Sequence, residues 1–176
     1  MMKISPITTG TENKIIELVN DYIDQASHIF ERSFEQIEVR FDLTGRAAGM
    51  YKVTPAAKLI RFNPYHFAKF IDENMHETVP HEVAHYISDQ VYGLRHIRPH
   101  GKEWQAIMWK FGVEPKRTFS YSLEGIPTRV HKRHTYSCDC MQYEITTRRH
   151  NNIQSGRAEY SCRQCGSKIK FINHVA

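Results

Sequence analysis

Thr78-Val79-Pro80-His81-Glu82-Val83-Ala84-His85 is the stretch from which the rest of this 176-residue chain can be read. Residues four apart share one face of a helix, so His81 and His85 can grip one cation. Glu82 stands one residue round the helix, toward the water that such a cation would activate. There it can serve as general base. Val83, Ala84 and Ile87 are apolar, as a buried active-site helix requires. Pro80 has no N–H and so fits the first turn of this helix. The helix is expected to run to about Tyr92 and stop at Gly93. The bland alternative is a helix that carries two ordinary polar histidines.

A catalytic zinc needs a third protein ligand and an open position. The metzincin pattern would put glycine at 88 and histidine at 91, but the chain has Ser88 and Val91, which excludes that class. The downstream candidates are His96, His100 and Glu103. His100 precedes Gly101 at the start of a helix, so a turn can swing it back to the metal. Glu103 would complete a His₂Glu site. His96 lies mid-loop and reads more simply as an exposed histidine.

Upstream, Ile15, Ile16, Val19, Tyr22, Ile23, Ala26, Ile29 and Phe30 recur at three- and four-residue spacing. They predict an amphipathic helix over 12–34, capped by Thr11. Three short strands are expected next, at 37–41, 47–53 and 58–62, separated by Thr44-Gly45 and Thr54-Pro55. An antiparallel sheet with one face on the helix is the simplest arrangement. Asn63-Pro64 reads as an N-cap followed by proline at the first helical position. A helix from Gly101 to Phe111 would carry Trp104, Ile107, Met108 and Phe111 on one side.

From about residue 114 the helical periodicity ends. Alternating runs at 135–138, 143–146, 158–161 and 168–171 predict a small all-β unit, too small to be held by apolar burial alone. All four cysteines lie in it, as Cys138-Asp139-Cys140 and Cys162-Arg163-Gln164-Cys165, with 21 residues between the pairs. Two such pairs match a structural zinc site of four thiolates, closed to catalysis. The one-residue gap between Cys138 and Cys140 is tight, so His134 or His150 is an alternative ligand. Free thiols or a redox pair are the other readings. The expected organisation is therefore α+β: a catalytic domain over 1–125 and a basic zinc ribbon over 126–176.

Composition bounds the function. The chain is 40% hydrophobic and 24% charged, which excludes a disordered protein. No apolar run is long enough to span a bilayer, and the first residues lack the apolar core of a signal peptide. A cytoplasmic protein without a membrane partner, monomeric by default, is expected. There, clustered cysteines bind metal more often than they form disulfides. The net charge of +5 is unevenly placed. Residues 1–113 hold 13 Lys/Arg against 14 Asp/Glu, and residues 114–176 hold 11 against 5. The basic ribbon, with Arg133, Arg148, Arg149 and Lys168 among Tyr136, Tyr143, Tyr160 and Phe171, suits phosphates and unpaired bases. A solvated basic face is the plain alternative.

Taken together, 78–85, Arg98-Pro99-His100-Gly101-Lys102-Glu103-Trp104 and the cysteine ribbon resemble the SprT-like zincin metalloprotease family, which includes the eukaryotic protease Spartan. Phe41-Asp42-Leu43-Thr44-Gly45-Arg46-Ala47-Ala48-Gly49 and Ile60-Arg61-Phe62-Asn63-Pro64 are also similar. The resemblance covers roughly residues 12–172. It implies a zincin fold of helices on a small antiparallel sheet, one catalytic zinc held by His81, His85 and His100, and Glu82 as base. It also implies a second, structural zinc on Cys138, Cys140, Cys162 and Cys165. Spartan-like relatives degrade proteins crosslinked to DNA, so the implied function is a zinc endopeptidase acting on DNA-associated proteins. A DNA-binding ribbon module with a silent zincin domain is the alternative, against which the intact Glu82 argues.

Overall fold

The computed structural model describes residues 4–117, 122–128 and 132–172. The chain divides into two compact units, Met1–Thr128 and Arg129–Ala176.

The first unit opens with helix α1, Thr9–Ile29. It starts a turn earlier than the apolar periodicity indicates, because Thr8 rather than Thr11 is the cap and accepts from the Thr11 N–H. It also ends earlier, at Ile29. Glu31 takes a left-handed φ of 50° and the Arg32 N–H returns to the Ser27 carbonyl oxygen. Ile15, Val19, Ile23 and Ala26 form its buried stripe.

Strands β1 (Glu38–Arg40), β2 (Gly49–Val53) and β3 (Lys58–Phe62) form one sheet in the order β1-β3-β2. The expected all-antiparallel sheet is not what forms. β2 pairs antiparallel with β3, but β1 runs parallel to it, with Val39 opposite Ile60. The reason is the long connection after β1, which carries the chain past the sheet before the tight β2–β3 turn. β2 is left as an edge strand.

Helix α2, Pro64–Lys69, begins as Asn63-Pro64 predicts: the Asn63 side chain accepts from the Tyr65 and His66 N–H groups. A short α3, Ile71–Glu73, leads into a π-helical turn, Asn74–Thr78, and then α4, Val79–Tyr92. Pro80 has no N–H for an acceptor one turn back, and the wider π turn just before it accommodates that loss. Gly93 ends α4 at φ 76°, and α5 covers Lys102–Lys110. The core lies between these layers: Ile15, Val19 and Ile23 of α1, Ile60 and Phe62 of β3, Val83 and Ile87 of α4, and Trp104, Ile107 and Met108 of α5.

The second unit has strands β4 (Arg133–Ser137), β5 (Gln142–Thr146) and β6 (Lys170–Phe171), in the order β5-β4-β6. It is not all-β. Helix α6, Thr147–Gln154, follows β5 directly, capped by Thr146. Its sequence is polar and buries no residue, so it carries no apolar periodicity to read. The expected strand at 158–161 reduces to a single bridge between Ser161 and Lys168.

Candidate metal centres

Three imidazoles converge at the first centre. His81 and His85 project from one face of α4, with their Nε2 atoms 3.2 Å apart. The Nε2 of His100 lies 3.0 Å from each of them. His100 arrives by the turn at Arg98-Pro99-His100-Gly101. The Gly101 N–H closes it on the Arg98 carbonyl oxygen at 2.8 Å, and His100 itself sits at φ 57°. A left-handed histidine is uncommon and is held by its surroundings. Here the turn aims the ring at α4. Gly101 has no room for a side chain, since a Cβ would lie 2.9 Å from the Arg98 oxygen. His96, an exposed loop residue, and Glu103 are not in the cluster.

Trp104 stacks on His85 and meets His81 and His100 edge-on, with ring centroids 4.7–5.5 Å apart. Its indole N–H donates to the His81 carbonyl oxygen at 3.2 Å. The tryptophan therefore fixes all three rings.

These residues fit a divalent cation. A tetrahedral zinc with Zn–N bonds of about 2.05 Å sets its ligand nitrogens about 3.3 Å apart. The observed separations are close to that value. Burial, and then the neighbouring imidazoles, push His81 down to about 4 and His85 down to about 3. His100 is lowered too, by burial and by Arg117. At neutral pH the three rings are therefore uncharged and offer lone pairs to one point. Without a cation, some of these close contacts would face lone pair against lone pair.

Glu82 is held by the edge strand. Its Oε2 accepts from the Tyr51 N–H at 2.6 Å. Burial pushes its carboxyl up to about 8, although the Tyr51 N–H opposes the shift. Gly49 makes room for it: a Cβ there would lie 2.7 Å from the Glu82 Cγ and 2.8 Å from its Oε1. The Tyr51 hydroxyl in turn donates to Asp89 at 2.7 Å, and Lys58 pairs with the same carboxylate at 2.6 Å. This ties β2 and β3 to α4 one turn beyond His85. Sequence reasoning did not single out Gly49, Tyr51 or Asp89 as site residues, because their part depends on pairing across 31 and 38 positions.

At the second centre all four cysteines gather, their ligand atoms within 4.8 Å of one another. The Sγ atoms of Cys138 and Cys140 are 3.5 Å apart, and those of Cys140 and Cys162 are 3.7 Å apart. Zn–S bonds of about 2.3 Å imply about 3.8 Å, so four thiolates fit one ion. The Tyr143 hydroxyl donates to the Cys162 Sγ at 2.7 Å, and with the Cys165 and Gln164 N–H groups it lowers that thiol to about 6. His134 and His150 stack on each other, centroids 3.8 Å apart, instead of joining the cysteines.

Arg133, Arg148, Arg149 and Lys168 are all exposed. Lys168 pairs with Glu159 at 2.8 Å, and Arg149 lies over the Tyr160 ring. Tyr136 is fully buried and belongs to the ribbon core, whereas Phe171 is exposed.

Fold and site together define a two-centre protein, with a histidine cluster on a helix and a cysteine cluster on a ribbon. A family model described as SprT-like matches residues 19–131, and the chain belongs to the SprT-like family. Its relatives include Protein SprT of Vibrio parahaemolyticus, 36% identical over 159 residues, covering 90% of this chain and 92% of the relative. Protein SprT of Pseudomonas aeruginosa is 37% identical over 155 residues, covering 86% and 90%. Protein SprT of Shewanella oneidensis is 32% identical over 159 residues, covering 90% and 97%. No solved structure gives a significant match. Among the described residues, no helix is long and apolar enough to cross a membrane.

Proposed function

We propose that the protein is a zinc-dependent endopeptidase. Its substrates are proteins associated with or crosslinked to DNA. The observation that carries this reading is the convergence of three imidazoles, two of them on the helix that also carries the buried Glu82. His81, His85 and His100 hold the ion. When bound, zinc supplies a Lewis acid and lowers the pKa of a coordinated water toward about 7.

The remaining chemistry belongs to the chain. Glu82 takes the proton of the attacking water and delivers it to the leaving amine. Its burial raises its proton affinity, which suits delivery of the proton to the leaving amine, while the charge of a bound cation would favour the ionised form that takes it. The Tyr51 N–H, Gly49 and Trp104 keep base and ligands in place. β2 is an edge strand, and beyond the Tyr51 N–H, which Glu82 already takes, an extended peptide can add to it as a strand and be held by its backbone. Cys138, Cys140, Cys162 and Cys165 hold a structural zinc. The exposed Arg133, Arg148, Arg149 and Lys168 bring the enzyme to DNA by phosphate contacts.

The test is cleavage of a basic protein substrate, and of the enzyme itself, with and without single-stranded DNA, using wild type and Glu82→Ala. Cleavage that needs both DNA and Glu82 is expected. Cleavage by Glu82→Ala at the wild-type rate would refute the role of the base. DNA binding by the zinc-loaded protein without any cleavage would favour a binding module instead.

A further inference from the structure

Four polar side chains of the first unit are buried without belonging to the histidine cluster: Asn63 and Asn74 at 0% exposure, His66 and Thr78 at 2%. They are joined in one chain of hydrogen bonds. The Thr78 hydroxyl donates to the Asn74 Oδ1 at 2.7 Å. The Asn74 Nδ2 donates to the His66 carbonyl oxygen at 3.2 Å and to that of Phe70 at 2.7 Å. The His66 and Tyr65 N–H groups end on the Asn63 Oδ1. The Asn63 Nδ2 then crosses to the loop before β2, where it donates to the Gly45 and Ala47 carbonyl oxygens at 3.2 Å each. The His66 Nε2 lies 3.1 Å from the same Gly45 oxygen, and since a carbonyl only accepts, this nitrogen carries the ring proton. The Asn63 backbone N–H adds a bond to the Ala48 carbonyl oxygen at 2.8 Å.

Stability alone does not explain this set. Apolar residues of the same shape would serve a core about as well as bonded polar pairs. His66 also leaves its Nδ1 buried without a hydrogen-bond partner, which costs stability. What the set provides is fixed geometry, since a satisfied buried network rigidifies its surroundings. Both of its ends stop at the base. At one end the Gly45–Ala48 loop runs straight into Gly49, and Tyr51, two residues on, donates its N–H to Glu82 at 2.6 Å. At the other, the Thr78 Cγ2 lies 2.8 Å from where a Gly49 Cβ would stand, and Thr78 is about one helical turn before Glu82. The strand and the helix that meet at Glu82 are thus fastened to each other through Asn63.

We propose that Asn63, with His66, Asn74 and Thr78, forms a positioning network for the base: it holds the Gly45–Ala48 loop so that the Tyr51 N–H stays on the Glu82 carboxylate. The network rests on the peptidase reading for the reaction it serves, while its hold on Glu82 is measured apart from that reaction.

The experiment uses the full zinc-loaded chain and two readouts. One is hydrogen exchange of the Tyr51 amide, with Glu82→Ala setting the unprotected rate. The other is kcat and KM for protein cleavage per zinc-loaded molecule, well below the melting range, where a loss of stability alone moves neither. Asn63→Asp keeps an oxygen for the α2 cap but replaces both loop-facing donors with an acceptor. His66→Leu removes the second donor, and His66→Gln keeps one. In Asn63→Asp and His66→Leu, Tyr51 exchange is expected to rise about ten-fold or more toward the Glu82→Ala rate. Their kcat is expected to fall about ten-fold or more, beyond any change in KM. His66→Gln should stay near wild type in both. Ile23→Val, a core change in α1, should lower the Tm and move neither readout. Wild-type exchange and kcat in His66→Leu would overturn the network, whether or not Asn63→Asp folds. Equal effects in Ile23→Val would overturn it too, by reducing it to general stability. Cleavage by wild type that the network variants do not change sinks the network alone. Faster Tyr51 exchange in the variants, with no cleavage by wild type, sustains the hold on Glu82 and sinks the peptidase.

Discussion

Gly49→Ala should be among the most informative small changes in this protein. A glycine in a strand normally costs stability, and alanine at the start of β2 should gain about 0.4–1 kcal/mol by restricting the unfolded chain. Here the sign should reverse. The added Cβ would lie 2.7 Å from the Glu82 Cγ and 2.8 Å from the Thr78 Cγ2. Carbon contacts settle at about 3.5–4.0 Å, so each approach is short by about 0.7 Å or more. Neither neighbour yields readily. Glu82 is buried and bonded to the Tyr51 N–H at 2.6 Å. Thr78 is buried, with its hydroxyl donated to Asn74 at 2.7 Å. Overpacking of this kind costs about 1–3 kcal/mol. The net expectation is a loss of about 1–2 kcal/mol, a Tm fall of roughly 2–8 °C at this chain length. A base displaced by about 1 Å should lose on the order of 100-fold in kcat. Zinc content should hold, because no imidazole is touched. The assays are thermal unfolding, zinc stoichiometry and cleavage, with Gly10→Ala as control, where a Cβ meets no atom closer than 3.9 Å and should stabilise. A Gly49→Ala protein as stable and as active as wild type would refute the steric argument.

Other perturbations test the remaining parts. His100→Asn keeps a residue that tolerates a positive φ but removes the ligand. Competitive zinc titration should show first-centre affinity lower by about 100-fold or more, and His96→Ala should show no change. Acid should destabilise the metal-free protein. The folded pKa values of His81 and His85, about 4 and 3, lie below the unfolded value of about 6.5. The unfolded chain therefore binds protons first, and stability should fall as pH drops from about 6.5 toward 4, by up to about 1.4 kcal/mol per pH unit for each imidazole. Glu82, raised to about 8 by burial, acts with the opposite sign over this range, so the comparison belongs in Glu82→Gln. Urea titrations of that metal-free variant at pH 7.5 and 5 that give the same stability would contradict the histidine effect. Tyr143→Phe removes the hydroxyl that lowers Cys162, so the pH midpoint for alkylation of that thiol in the metal-free protein should move upward. Chelation of the second centre should unfold Arg129–Ala176 as seen by amide exchange, because a unit this small lacks the apolar core to stand alone.

Much of this was legible because the signals are local. Two histidines four apart, a proline before them and a glycine after them specify α4 by short-range geometry alone, and two close cysteine pairs specify a ribbon. Asn63-Pro64 announced the start of α2 for the same reason. The parallel pairing of β1, the polar helix α6 and the true cap of α1 were not legible. Strand direction leaves no mark in alternation, and a helix that buries nothing has no periodicity. By itself, then, the sequence determined which histidines and cysteines lie close enough to share a face or a knuckle and in what order the two units come, since each depends on residues close along the chain. Spacing left His96, His100 and Glu103 open and the family resemblance implied His100; the tertiary structure shows how it joins the cluster, through a strained turn at His100. It alone placed the edge strand against Glu82 and Trp104 behind the three rings, because those contacts join residues that only folding brings together.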